Sequence, residues 1–117
     1  MNCKIIAIEN FRREAKRLHK KYASLKGELS RLGEELLQDP RLGKPLGKSV
    51  YKIRLAVKSK GRGKSGGLRI ITRIVEVQFK VVDSPPQTNI YLLSIYDKAE
   101  QPDITDKRLK EIIDDIA

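Results

Sequence analysis

Apolar positions along this chain follow two rhythms, one of them helical and the other that of a strand. Cys3 to Ile8 is a short, isoleucine-rich run that predicts a first strand. Phe11, Ala15, Leu18, Tyr22 and Leu25 then stand at i, i+4, i+7, i+11 and i+14, one stripe of an amphipathic helix, with Asn10 as its expected cap. Arg12, Arg13, Lys16, Arg17, Lys20 and Lys21 take the opposite face. Gly27 is expected to break this helix. Leu29, Leu32 and Leu36 carry a second one until Asp39-Pro40 ends it, which completes a helical hairpin.

The next stretch, Pro40 to Ser49, holds Pro40, Gly43, Pro45 and Gly47 and reads as a loop. Tyr51, Ile53, Leu55 and Val57 then alternate with Lys52, Arg54, Ala56 and Lys58, so a strand with one apolar and one basic face is expected. A Gly- and Lys-rich loop from Lys58 to Gly67 leads into a long β-branched run, Leu68 to Phe79. Arg69 and Arg73 share the parity that Val75, Val77 and Phe79 later fill, which predicts a bulge near Ile74 and Val75. After the turn Asp83-Ser84-Pro85-Pro86, Ile90 to Tyr96 is apolar at nearly every position and predicts a central strand covered on both faces. Leu109, Ile112, Ile113 and Ile116 mark a closing helix with Thr105 as its cap. The expected order is β-α-α-β-β-β-α in an α+β fold, with a mostly antiparallel sheet and its helices on one face. No repeat or long linker divides the 117 residues, so a single domain is expected over 1–117.

Charge changes the picture. There are 25 Lys plus Arg against 15 Asp plus Glu, a net charge of +10, and they are unevenly placed. Between Arg41 and Arg73 the chain has 11 basic residues and no acidic one. Like charges confined to one stretch repel, and a polyanionic partner such as nucleic acid relieves that repulsion. No apolar run approaches the roughly 20 residues of a membrane span, so no membrane partner is expected. The short apolar start, broken by Glu9, is not expected to act as a secretory signal. A lone Cys3 excludes an internal disulfide and a Cys-rich metal site and suits a reducing cytoplasm. A single His19 removes His-pair chemistry. No metal, cofactor or small-molecule ligand is expected.

Two phosphate-binding motifs are tempting and fail. Gly61-Arg62-Gly63-Lys64-Ser65-Gly66-Gly67 lacks the P-loop's leading glycine, whose place Lys58 takes, and a β-prone segment follows where a helix is needed. Gly63-Lys64-Ser65-Gly66 matches the KH-domain pattern but would join two strands rather than two helices. A flexible basic loop between two basic strands remains. Its glycines allow close backbone approach to a phosphodiester. Cleavage of RNA needs a group to activate the ribose 2′-OH, another to protonate the leaving 5′-oxygen, and cations for the phosphorane's added charge. Lys, Arg, Tyr and carboxylates are the available groups, and clustered cations would depress the pKa of a lysine or a tyrosine among them.

The segment Lys64-Ser65-Gly66-Gly67-x-Arg69-x-Ile71, followed by Ile90-Tyr91-Leu92-Leu93-x-Ile95-Tyr96-x-Lys98-x-Glu100, resembles the HigB-type branch of the RelE/ParE toxin superfamily. The strand around Lys52-Ile53-Arg54 and the element order fit as well. By motif the resemblance covers roughly residues 40–117, and by architecture the rest. It implies a RelE-like fold and a ribosome-dependent mRNA endoribonuclease of a type II toxin–antitoxin system. Such an enzyme acts on mRNA in the 30S A site and is neutralised by a cognate antitoxin.

The resemblance further assigns Arg69 to transition-state stabilisation and Lys64 to phosphate binding or general-base work. Tyr96 would stack on a base, orient the 2′-OH or donate a proton. Lys98 would add a cation, although an ion pair with Glu100 or Asp97 is an equal role for it. Lys52, Arg54, Lys58, Lys60, Arg62 and Arg73 are the expected RNA-backbone contacts. Relatives that use His near these positions have no counterpart here, which leaves the acid and the base open. Two alternatives stand beside this one. One is a ParE-like inhibitor of DNA gyrase without nuclease activity, and the other a non-toxic RNA- or ribosome-binding module. The antitoxin is expected to be acidic or amphipathic, covering the basic surface or prising away the helix from Lys107 to Ile116.

Overall fold

The N-terminal apolar run forms strand β1 (Asn2–Ala7), and the two amphipathic stripes form helices α1 (Glu9–Lys21) and α2 (Leu25–Gln38). Strands β2 (Lys44–Gly47), β3 (Val50–Leu55), β4 (Leu68–Val77) and β5 (Gln87–Asp97) follow, with helix α3 (Asp106–Ile116) closing the chain. This computed structural model describes residues 2–60, 67–78 and 86–116. The fold is α+β, with one five-stranded sheet in the order β1-β5-β4-β3-β2. Its ladders are antiparallel except that β1 runs parallel to β5.

Two cores form because the sheet is apolar on both sides. On one side Phe11, Leu18, Tyr22, Leu25, Leu32 and Leu36 of the helical hairpin pack on Ile53, Leu68, Ile70, Ile90 and Ile95. On the other, Ile112, with Leu109, Ile113 and Ile116 of α3, packs with Val50, Ile71, Leu93, Tyr96 and Ile104. Each fully buried leucine here contributes about 2 kcal/mol. The expectation of helices on one face is therefore corrected: α3 covers the face opposite the hairpin. Strand β5 is apolar from Ile90 to Tyr96 apart from Ser94 because that part is covered from both sides, as its pattern predicts.

Local departures have local causes. Helix α1 begins directly off β1, with Ile8 at the cap position and no side-chain cap. Asn10 therefore lies inside the first turn, where its amide donates to Leu93 O at 3.0 Å and to Glu14 at 2.8 Å. The break between the helices falls at Tyr22–Ser24 rather than at Gly27, which lies within α2. Tyr22 leaves helical geometry and sends its hydroxyl to Asp97. Thr105 does cap α3, accepting from the Arg108 N–H at 3.1 Å.

The expected loop before β3 contains β2, which pairs with β3 through the two-residue turn Lys48-Ser49. Both residues have positive φ, 53° and 62°, the conformation of a type I′ hairpin. The register irregularity lies at Ile71/Thr72, where Ile71 pairs with Ser94 and Thr72 with Leu92. Leu93 of β5 is thus the additional residue, not Ile74 or Val75 of β4. The consequence is on β5, where Ser94 bonds Glu14 of α1 and its neighbour Ile95 packs into the same hairpin core. Strand β4 keeps its alternation, so the face carrying Arg69 and Arg73 turns apolar along its length without a change of phase. Phe79, the expected end of that strand, lies outside the described residues.

Candidate functional site

Three strands place three of the expected site residues in one row. Arg54 of β3 pairs across the ladder with Arg69 of β4, which pairs with Tyr96 of β5. Directly paired residues share a face with Cβ atoms about 5 Å apart. Lys52 stands two residues before Arg54 and shares that face by the strand's period of two. Arg73 lies four residues beyond Arg69 on the same face, opposite Tyr91, about 13 Å along the strand. The row faces α3.

Its members differ in access. Arg54 is exposed. Arg69 is only 4 % exposed and Tyr96 only 3 %. The Arg69 guanidinium donates to Leu68 O at 3.2 Å. Tyr96 donates its hydroxyl to Asp103 Oδ1 at 3.2 Å. Lys52 Nζ reaches the same oxygen at 3.4 Å, and the Ile104 N–H donates to it at 2.8 Å. Three donors from β3, β5 and the loop before α3 thus converge on one carboxylate oxygen. The Ile104 amide, with Lys52 behind it, holds the Asp103 carboxyl below its usual range despite some burial.

Tyr96 behaves oppositely to the expectation for a phenol among cations. Burial first, and then the charge and hydrogen bond of Asp103, push its hydroxyl up to about 12, against the pull of Arg69. At neutral pH it is a protonated donor. The expected depression of the phenol is corrected, because a carboxylate and burial outweigh one neighbouring guanidinium.

Other expected contacts are elsewhere. Lys60, in the 3-10 turn Lys58–Lys60, is turned to the hairpin side, where its ammonium is buried against Asp97. Asp97 is 1 % exposed and also accepts from the Tyr22 hydroxyl at 2.6 Å and the Ala99 N–H at 2.9 Å. Burial raises its carboxyl, but the bonds from Lys60, Tyr22 and Ala99 outweigh that and hold it at about 2. Lys58 is exposed, and its main-chain N–H donates to Glu28 of α2 at 2.7 Å. Lys98 is exposed just past β5, its N–H directed at Gly67 O. Glu100 pairs with Arg17 and Asp97 with Lys60, so neither expected partner of Lys98 is used for it. Lys64 and Arg62 lie outside the described residues.

Gly67 has a packing role. A Cβ there would run into Leu55 O, so glycine is required where β4 leaves β3, whatever the loop before it binds. Two groups escape a reading of the sequence, Asp103 and the pair Tyr22–Asp97. An acid closing the apolar stretch from Ile90 to Tyr96 was the available signal for Asp97. Asp103, in Gln101-Pro102-Asp103-Ile104, carries none. Both acids come from outside the acid-free stretch and fold back onto it, as Glu76 does onto Arg41 at 3.3 Å. Among the described residues no helix is long and apolar enough to cross a membrane. Compared with known proteins, the chain matches no family model and no curated sequence.

Proposed function

We propose that this chain is a ribosome-dependent mRNA endoribonuclease, the toxin of a type II toxin–antitoxin pair, that cuts by attack of the ribose 2′-OH. The observation that carries this reading is the row Arg54–Arg69–Tyr96 with Lys52 and Asp103 beside it. It joins cations, a neutral phenol and an ionised carboxylate on one sheet face, the group types that metal-free transesterification requires. Arg54 meets the phosphate with Lys52 beside it, and Arg69 behind them adds positive potential from a low-dielectric position, where charge acts more strongly than in water. In this reading the fold is RelE-like, with β2 as a short addition to the β-α-α-β-β-β-α order. The chain works in the cytoplasm, and Lys98, just past β5, extends the phosphate contacts together with Lys64, which lies outside the described residues. An acidic or amphipathic antitoxin covers the basic face or displaces α3.

The test is primer extension on mRNA in a translating extract. Cuts bearing a 2′,3′-cyclic phosphate and a 5′-hydroxyl are expected, slowed about 100-fold or more by Arg69→Ala. Uncut mRNA with the wild-type protein, or full-rate cutting by Arg69→Ala, overturns the reading. Trapped gyrase–DNA complexes without mRNA cuts would favour the ParE-like alternative.

A further inference from the structure

We propose that Asp103 and Lys52 are the base and acid of the cleavage, with Tyr96 the positioning residue that holds Asp103 against Lys52. This deepens the ribonuclease reading and rests on it. The Asp103 side chain is 65 % exposed and that of Lys52 22 %, so both reach a bound strand, unlike Tyr96. The donors named above all meet Oδ1, which fixes the carboxylate through one oxygen and leaves Oδ2 to take the proton. Lys52 lies beside Arg54, so the pair flanks the cations that hold the phosphate. The groups facing Asp103 are Lys52 from β3, Tyr96 from β5 and the Ile104 amide. Arg69 of β4 stands next to Tyr96.

The step balances without a co-reactant. Oδ2 of Asp103 takes the 2′-OH proton, and the 2′-oxygen's electron pair forms the O2′–P bond. The P–O5′ bond breaks, and O5′ leaves with a proton from the Lys52 ammonium. Proton exchange with solvent, which both groups meet, then returns the proton from the carboxylic acid and restores the ammonium. Tyr96 touches no reacting atom and keeps Oδ1 occupied by a neutral donor.

The experiment measures single-turnover cleavage of ribosome-bound mRNA and, separately, binding of single-stranded RNA. Asp103→Asn should slow cutting about 100-fold or more while tightening RNA binding, because a negative charge leaves the basic face. A purely structural role would weaken both. Asp103→Glu should recover part of the rate, and the acid limb of the pH–rate profile should vanish in Asp103→Asn. Lys52→Met should be equally slow on ordinary RNA. It should be rescued on RNA whose scissile 5′-oxygen is replaced by sulfur, a leaving group that needs no proton. Asp103→Asn should not be rescued. Tyr96→Phe should move the acid limb upward in pH. Full-rate cutting by Asp103→Asn, or a Lys52→Met defect that sulfur does not relieve, overturns the pair while the ribonuclease reading stands. If the wild type cuts no mRNA, both fall together.

Discussion

Replacing Asp97 by Asn removes the negative charge that Lys60 is buried against. The carboxylate is 1 % exposed and held by Lys60, Tyr22 and the Ala99 amide. Breaking one side of such a pair leaves a buried, uncompensated charge, which costs about 3 kcal/mol or more at pH 7. For a chain of this length that is a fall in melting temperature of roughly 10 °C. Part of this stability depends on pH. The Asp97 carboxyl lies at about 2 against an ordinary 3.8, a difference worth about 2 kcal/mol. Because the folded pKa is the depressed one, this contribution is complete above pH 4 and is lost as pH falls from about 4 to about 2. Urea titrations at pH 7, 4, 3 and 2 measure it. The wild type should lose about 2 kcal/mol more than Asp97→Asn across that window. Parallel curves for the two proteins would refute the argument, since the other titrating groups are common to both. Lys60→Met, which removes the cation and leaves the acid, should raise the Asp97 pKa and flatten the same window.

Other expectations follow from single contacts. Burial and Asp103 push the Tyr96 hydroxyl up to about 12, so the absorbance titration of the wild type less that of Tyr96→Phe should show a phenol ionising near that value. The stability tied to its protonated form should persist below pH 10 and fade as pH rises from about 10 to about 12. Thr72 Oγ1 is buried with no hydrogen-bond partner among the described residues. Thr72→Val, of equal volume, should raise stability by about 1 kcal/mol in denaturant titrations. Lys48-Ser49→Asn-Gly supplies residues suited to the two positive φ angles and should stabilise by about 1 kcal/mol. Gly43→Ala places a Cβ 2.6 Å from Lys52 O at φ +105°. It should destabilise the β2–β3 hairpin and shift Lys52, which a drop in RNA affinity beyond the stability loss would reveal.

The helices and long strands were legible because their apolar spacing answers to burial alone. Leu18, Leu25 and Leu36 are each fully buried where a 3.6-residue stripe puts them. Strand β2 was hidden because Lys48-Ser49 lacks the Asn-Gly signature of its turn, and Pro45 and Gly47 argue for a loop. Parity that looks broken in β4 points to a bulge there, while the extra residue is Leu93, in the apolar stretch of β5 where no parity shows. At the site, Arg54, Arg69 and Tyr96 were legible as strand residues whose register brings them level. The acids that meet them were not. Asp97 and Asp103 are distant in sequence from Lys60 and Lys52, and charge counted along the chain says nothing of which charges fold onto each other.

Strand β1 is paired only to β5, with Asn2 opposite Gln87 and Ala7 opposite Leu92. During synthesis β1 must wait for β5, far later in the chain, before it finds a partner, and such remote closures slow assembly. Until β5 leaves the ribosomal tunnel, the apolar faces of α1 and α2 have no finished sheet to lie on. The nascent chain is then open to proteases and holding chaperones, so removing β5 should leave no stable remnant: folding waits on the strand that joins β1 to the rest of the sheet.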